Sequence, residues 1–353
     1  MKKMLLSLLA STIYTSVVSA QTCQQPPSCE SLGYTKSVDD CGDIEYLTCP
    51  FDSSKVYCSG GSGDGEADGE TDSDTIELLF YSVPSGKTIT FTYGGGSIEV
   101  DCGNGNIVTG TATDTGTVKC KYTESGNAYV TIRGDFTYYG GSSTTVSAIF
   151  KLNKKGITKI TKLCNEGSEI NDVIYSSTLI DASSMYEKCY LQSASRTLPK
   201  NLEIGDKMFY SSEYINFDAG YIKIPMSLKS AYRMFRGTEI SGIVEFPPNS
   251  QLENAKEMFY GVSSGMDFFN IIGLENTKIT DGSYMFYQNY SLRTIPSLPT
   301  TLTNANKMFY NCENMTGTLP DYSNFPNLTN VTDMFYGTQI TQEDNPSWPA
   351  SAW

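Results

Sequence analysis

The chain contains no histidine. That single absence removes Ser-His-Asp and Cys-His nucleophilic pairs and every imidazole metal site. Positive charge is also scarce: 25 Lys and Arg stand against 39 Asp and Glu, for a net charge of −14. Nucleic acid is excluded as a partner on this ground, because binding phosphates needs a basic face that releases counterions. Long apolar runs are missing too. After the N-terminus no segment approaches the roughly 18 apolar residues of a membrane span. The opening stretch MKKMLLSLLASTIYTSVVSAQ has two Lys, a short apolar run and the small-residue pattern Val18-Ser19-Ala20. It reads as a secretory signal peptide over residues 1–20, with no transmembrane segment left after cleavage. Losing Lys2 and Lys3 takes the charge from −14 to −14 − 2 = −16. Cys23 does not directly follow a small residue, so a lipid anchor is not expected. The chain is therefore expected to be exported: secreted, at the cell surface or in the periplasm.

Export makes the ten cysteines readable as disulfides. Cys23, Cys29, Cys41, Cys49 and Cys58 lie in a polar stretch too short to bury a core, and residues 21–58 read as a small stapled module. Zinc is the rival reading, but the spacings lack paired C-x-x-C knuckles. Five is odd, so at least one of these cysteines is free or pairs outside the module. Residues 59–75 hold Gly, Ser, Asp and Glu with nothing to bury, and read as a flexible acidic linker. Asp64, Glu66, Asp68 and Gly69 echo the start of an EF-hand loop. Thr75 stands where that loop needs a bidentate Glu, so the plain linker is preferred to calcium. No cofactor is expected anywhere in the chain.

From 76 to 152 the apolar period is two. Ile89/Phe91/Tyr93, Ile98/Val100/Cys102, Val118/Cys120/Tyr122 and Ala128/Val130/Ile132 each put alternate residues on one face, with Gly-rich turns between the runs. The pattern predicts a small β-sandwich whose register turns both Cys102 and Cys120 inward. A Cys102–Cys120 disulfide follows, worth about 3 kcal/mol in the chain-entropy model.

The C-terminal stretch, 153–353, is a repeat array. Met-Phe-Tyr or a close variant recurs with its Met at 185, 208, 234, 258, 285, 308 and 334, in steps of 23, 26, 24, 27, 23 and 26 residues. Each Met has a small or apolar residue three before it and Leu or Ile six before it, as in Leu252/Ala255/Met258. Positions i, i+3, i+6 and i+7 form one apolar stripe on a short helical or 3₁₀-like turn, buried by stacking on neighbouring repeats. Between stripes lies an extended piece that usually ends in an apolar residue and Pro, such as Ile224-Pro225 and Phe246-Pro247. The Met258–Met285 repeat carries Phe268-Phe269-Asn270-Ile271-Ile272 instead, where an insertion or bulge is expected. Segments 157–178 and 347–353 are the expected caps. After each Met-Phe pair stands Tyr210, Arg236, Tyr260, Tyr287, Tyr310 or Tyr336. These six are the candidate ligand-binding residues, because Tyr gives rigid amphipathic contact area. The bland reading is that their rings only stack and cover the core edge.

Two stretches resemble known families. Ile98-Glu99-Val100-Asp101-Cys102-Gly103-Asn104-Gly105, with Cys120 to Ile132, is similar to the V-D-W-G-D-G … Y-x-x-x-G-x-Y-x-V-x-I pattern of PKD-like (Ig-like) β-sandwiches. Cys102 and Asn104 replace its usual Trp and Asp. Asn327 to Gly337 and Asn306 to Cys312 resemble the N-V-T-x-M-F-x-G-C core of BspA-type, leucine-rich-repeat-like bacterial surface proteins. The resemblance implies a multidomain chain: the Cys-rich module, the sandwich, then a leucine-rich-repeat-like α/β solenoid. It also implies a non-catalytic, adhesin-like role in which the solenoid binds an extracellular protein or carbohydrate. The alternatives are a structural cell-surface layer protein and a glycosidase with a carboxylate pair. No acid and base recur in a motif that singles them out, so no catalytic residue is assigned and an enzyme is not expected.

Overall fold

The computed structural model describes residues 36–38, 44–46, 74–144, 146–163, 169–170, 175–189, 198–212, 221–240, 242–262 and 269–353. The signal peptide, the five cysteines of the N-terminal module and residues 59–73 of the linker lie outside them, whereas its last two residues are among them, Asp74 accepting from Lys154 and the buried Thr75 opening the first strand of the second unit. The chain divides into two compact units, Met1–Glu70 and Thr71–Trp353. In the first, β1 (Lys36–Val38) and β2 (Ile44–Tyr46) form an antiparallel pair.

The second unit opens with two sheets. Strands β3 (Thr75–Val83), β4 (Thr88–Gly94), β5 (Gly96–Asp101), β6 (Ile107–Ala112), β7 (Gly116–Lys121), β8 (Gly126–Arg133), β9 (Tyr138–Ser142), β10 (Ala148–Asn153), β11 (Lys159–Ile160) and β12 (Glu169–Ile170) follow in chain order. One sheet has the order β12-β10-β3-β8-β5-β6 and the other β11-β9-β4-β7. Alternation decides what they bury. Ile76, Leu78 and Phe80 of β3, Ile89, Phe91 and Tyr93 of β4, and Val130 and Ile132 of β8 are all sealed in one core. Phe80 meets Phe91 edge-on across the sheets, ring centroids 6.1 Å apart. A disulfide joins Cys102, just past β5, to Cys120 of β7, so it ties one sheet to the other. Tyr122 closes the same corner by donating its hydroxyl to the Cys102 carbonyl at 3.0 Å.

The α/β solenoid expected for 153–353 is not formed. No α-helix occurs among the described residues. The described parts of the repeats are built from turns, single bridges and small sheets, and the 3₁₀ turns among the described residues are at Leu274–Asn276, Tyr322–Asn324 and Ala350–Ala352. The hydrogen bonds show why the apolar stripe is not a helix. In one repeat Met208, Tyr210 and Ser212 each donate three residues back, to Gly205, Lys207 and Phe209, as β-turns do. The residues between them do not donate within the repeat. Gly205, Lys207, Phe209 and Ser211 donate instead to Ser230, Tyr232, Met234 and Arg236 of the next repeat. Left-handed backbone at Lys207 (φ 55°) and Ser211 (φ 51°) turns these amides outward. The same pair of positions is left-handed at Ser184/Lys188, Arg233/Gly237, Glu257/Gly261, Tyr284/Gln288, Lys307/Asn311 and Asp333/Gly337. Half of the amides thus serve the turn and half the neighbouring repeat, which leaves none for an i→i−4 ladder.

Stacking follows from this sharing. Parallel bridges run Lys159–Asp181–Ile204–Ser230–Asn254–Asp281–Asn304–Asn330, one rung per repeat. All seven Met side chains of the motif are fully buried. Behind them Phe209, Phe235, Phe259, Phe286, Phe309 and Phe335 form a column with centroids 5.3–5.8 Å apart and rings within 7° of parallel. On the other side β13 (Tyr221–Lys223), β14 (Gly242–Glu245) and β15 (Phe269–Ile272) form a parallel sheet. The unusual Phe269–Ile272 piece pairs with β14 without a bulge, and the 3₁₀ turn at Leu274–Asn276 replaces the Pro-marked end. Both ends of the column are closed. Ile160 and Leu163 donate to Asp181 and Met185 at one end, and Asp333 and Phe335 donate to Ser351 and Ala352 at the other. There Trp348 meets Phe335 edge-on, with its indole donating to the Pro320 carbonyl.

Candidate binding surface

From Met208 to Met334, the residue two after each motif Met lies past the buried Phe and faces outward. Stacking of the repeats therefore turns a sequence position into a column. Tyr260, Tyr287, Tyr310 and Tyr336 stack in order with centroids 4.7, 4.9 and 4.9 Å apart and rings within 18° of parallel. Arg236 takes the next rung. Its guanidinium lies over Tyr260 at 4.0 Å and over Tyr210 at 6.0 Å, both within cation–π range. All six sequence-predicted residues are thus brought into one line. The interior rungs are half-buried by one another, and Tyr336 at the end is 52% exposed. Crowding raises the Tyr287 phenol above its ordinary pKa, first through burial and then through Tyr260 and Tyr310. The Tyr287 hydroxyl therefore stays a neutral donor across the physiological range.

A second column runs beside the first at the residue just before each Met. Sequence reasoning passed over it, because Lys207, Arg233, Glu257, Tyr284, Lys307 and Asp333 share a position but no chemistry. Glu257 ties the two columns together. It accepts from Arg233 Nε at 2.9 Å and Nη2 at 3.1 Å, a bidentate grip, and also from Arg236 Nη1. That hydrogen bond to Glu257 is the main reason the Arg233 pKa is raised. Lys307 Nζ lies 5.3 Å from the Tyr310 ring and 3.8 Å from Asp333, and Tyr284 leans on Tyr287. Arg236 is held on three sides, which fixes a long side chain that would otherwise lose entropy on binding.

The cysteines of the described residues are structural. Cys189 is disulfide-bonded, and the buried Cys312 thiol donates to the Phe286 carbonyl at 3.0 Å. Burial pushes the Cys312 thiol up to about 12, the opposite of what a nucleophile needs. Among the described residues no three Cys, Asp or Glu side chains converge to hold a metal ion. No helix among them is long and apolar enough to cross a membrane.

A family model described as "Mycoplasma protein of unknown function, DUF285" matches residues 226–348, about a third of the chain. That span holds the repeats of Met234, Met258, Met285, Met308 and Met334, and with them the column from Arg236 to Tyr336. No curated protein and no solved structure matches the chain.

Proposed function

We propose that the protein is a non-catalytic, exported interaction protein. It binds an extracellular protein or carbohydrate through the Tyr and Arg column of its repeats, in the manner of an adhesin at a cell surface. The observation that carries this reading is the unbroken line Tyr210–Arg236–Tyr260–Tyr287–Tyr310–Tyr336, laid outside a core filled by the Met and Phe columns and by other buried apolar side chains of the repeats. Tyr and Arg are the residues that most often dominate binding energy, and here they are fixed before any partner arrives. The leader sequence, the resemblance of the repeats to BspA-type surface proteins and the family match all support this placement. The lack of histidine argues against nucleophilic catalysis.

The test is binding of the mature chain to arrays of extracellular proteins and glycans, beside a Tyr287→Ala/Tyr310→Ala variant. The expected result is a bound partner whose affinity falls at least tenfold in the variant. A chain that binds nothing on either array and assembles into sheets or filaments would favour the structural-layer role.

A further inference from the structure

The ring geometry narrows the chemistry that can meet the column. A sugar docks on an aromatic side chain by laying a pyranose face against a free ring face. In the Tyr260–Tyr336 series, neighbours 4.7–4.9 Å away already cover both faces of Tyr287 and Tyr310. Tyr260 is covered on one side by Tyr287 and on the other by the Arg236 guanidinium. What these rungs offer is ring edges and phenol hydroxyls. Aromatic edges carry the positive end of the ring quadrupole, and hydroxyls and guanidinium groups donate hydrogen bonds. The column is therefore electropositive along its length without being strongly charged.

The adjoining column adds formal charge of the same sign. Across the two, from the Met208 to the Met334 repeat, Lys207, Arg233, Arg236 and Lys307 face Glu257 and Asp333, which gives 4 − 2 = +2, or +1 with Glu187 of the Met185 repeat, on a chain whose net charge is −14. Both carboxylates are already engaged by cations of this chain, Glu257 by the two arginines and Asp333 by Lys307. Arg233 spends Nε and Nη2 on Glu257 and Arg236 spends Nη1, so each guanidinium keeps N–H groups to offer. Beyond about 8 Å at physiological salt the −14 is screened, and a partner at contact meets the local surplus.

We infer that the column takes an extended, carboxylate-bearing segment of another protein rather than a sugar face. This rests on the proposed binding role of the same column. Side-chain carboxylates of the segment reach the Arg233/Arg236 pair and Lys207, and its backbone carbonyls accept from the phenol hydroxyls.

The experiment titrates the mature chain with three probes at 0.15 M salt, read by fluorescence anisotropy: a Gly-Glu repeat peptide, a Gly-Gln peptide of equal length, and a labelled neutral oligosaccharide. The expected result is at least tenfold tighter binding of the Glu peptide than of the other two. Tenfold weakening is expected in both Arg236→Ala, which leaves Glu257 paired with Arg233, and Lys207→Asn, which keeps a residue tolerant of left-handed backbone. Thermal melts of both variants establish that they are folded. Equal binding of the Glu and Gln peptides, no binding of either, or Glu-peptide binding unchanged in both variants would overturn the inference. So would tight oligosaccharide binding lost in Tyr287→Ala, an outcome that keeps the column as a binding site while changing its partner. A heparin arm that competes through the same residues and outbinds the Glu peptide would overturn the choice of a protein partner. Failure of the broader reading is seen separately, in arrays on which the mature chain binds nothing.

Discussion

Phe259 and Tyr260 are chain neighbours that do opposite work. Phe259 is sealed between Phe235 and Phe286 and also touches Phe269, whereas Tyr260 stacks in the outer line. Phe259→Ala leaves a cavity in the middle of a rigid column that cannot collapse around it, because each ring is held by its own repeat. The expected cost is about 3–5 kcal/mol, measured as a shift of the denaturation midpoint at constant slope. Both columns were marked by the Met-Phe-Tyr spacing alone, as was the Cys102–Cys120 pairing by the inward register of its strands. The partner column of Lys207, Arg233 and Glu257 was not. Its side chains differ in charge and size from repeat to repeat, so nothing recurs there to be noticed.

At the level of the repeat element, two left-handed residues four apart are what separate this structure from a helix. The sequence hid them. Where Gly stands, at Gly237, Gly261 and Gly337, a turn is signalled, but most of the positions hold Lys, Ser, Arg, Glu, Tyr, Gln, Asn or Asp. Asn and Asp tolerate φ > 0, but Lys, Ser, Arg, Glu, Tyr and Gln give no hint of it, while the i, i+3, i+6, i+7 stripe looks helical. The stripe is real and is met by turns, because the inter-repeat hydrogen bonds offset the left-handed cost of about 1–2 kcal/mol per residue. Glycine at the one irregular repeat sharpens the point. A Cβ on Gly273 (φ 75°) would sit 2.2 Å from the Phe246 carbonyl oxygen, whereas one on Gly261 (φ 64°) meets nothing within 4 Å. Gly261→Ala is expected to lose only the left-handed cost, about 1–2 kcal/mol. Gly273→Ala is expected to lose clearly more, since backbone must shift. Paired thermal melts decide it, and equal losses would mean that Gly273 is not held against the Phe246 carbonyl.

Over the whole Thr71–Trp353 unit, sheets and repeats share one hydrogen-bonded run: β11 pairs with β9, and Lys159 bridges on to Asp181. Burial would raise the Asp181 pKa, but hydrogen bonds from Lys159 and Ser183 hold it below the ordinary carboxylate value. The alternating strands were readable from period two. The joint was not, since a single bridge leaves no periodic trace. Alkaline pH probes the unit as a whole. Burial, then Asp101, pushes Tyr122 up to about 12, and burial alone raises Tyr139 as well. An unfolded phenol ionises near pH 10, so these groups contribute stability that is fully present below about pH 10 and drains away as pH climbs toward 12. A melting temperature that is flat from pH 7 to 9 and drops steeply by pH 11 is expected. A flat profile to pH 12 would contradict the burial of these rings.

The most direct measurement is made on Tyr287→Ala, with two readings on one sample: affinity for the partner recovered on the arrays, and free energy of unfolding. A recognition column loses at least tenfold in affinity while stability changes by less than about 1 kcal/mol, as at half-exposed positions generally. A column that only covers the core edge would give the reverse, with several kcal/mol of stability lost and binding unchanged, and the reading of this surface as a binding site would then be wrong.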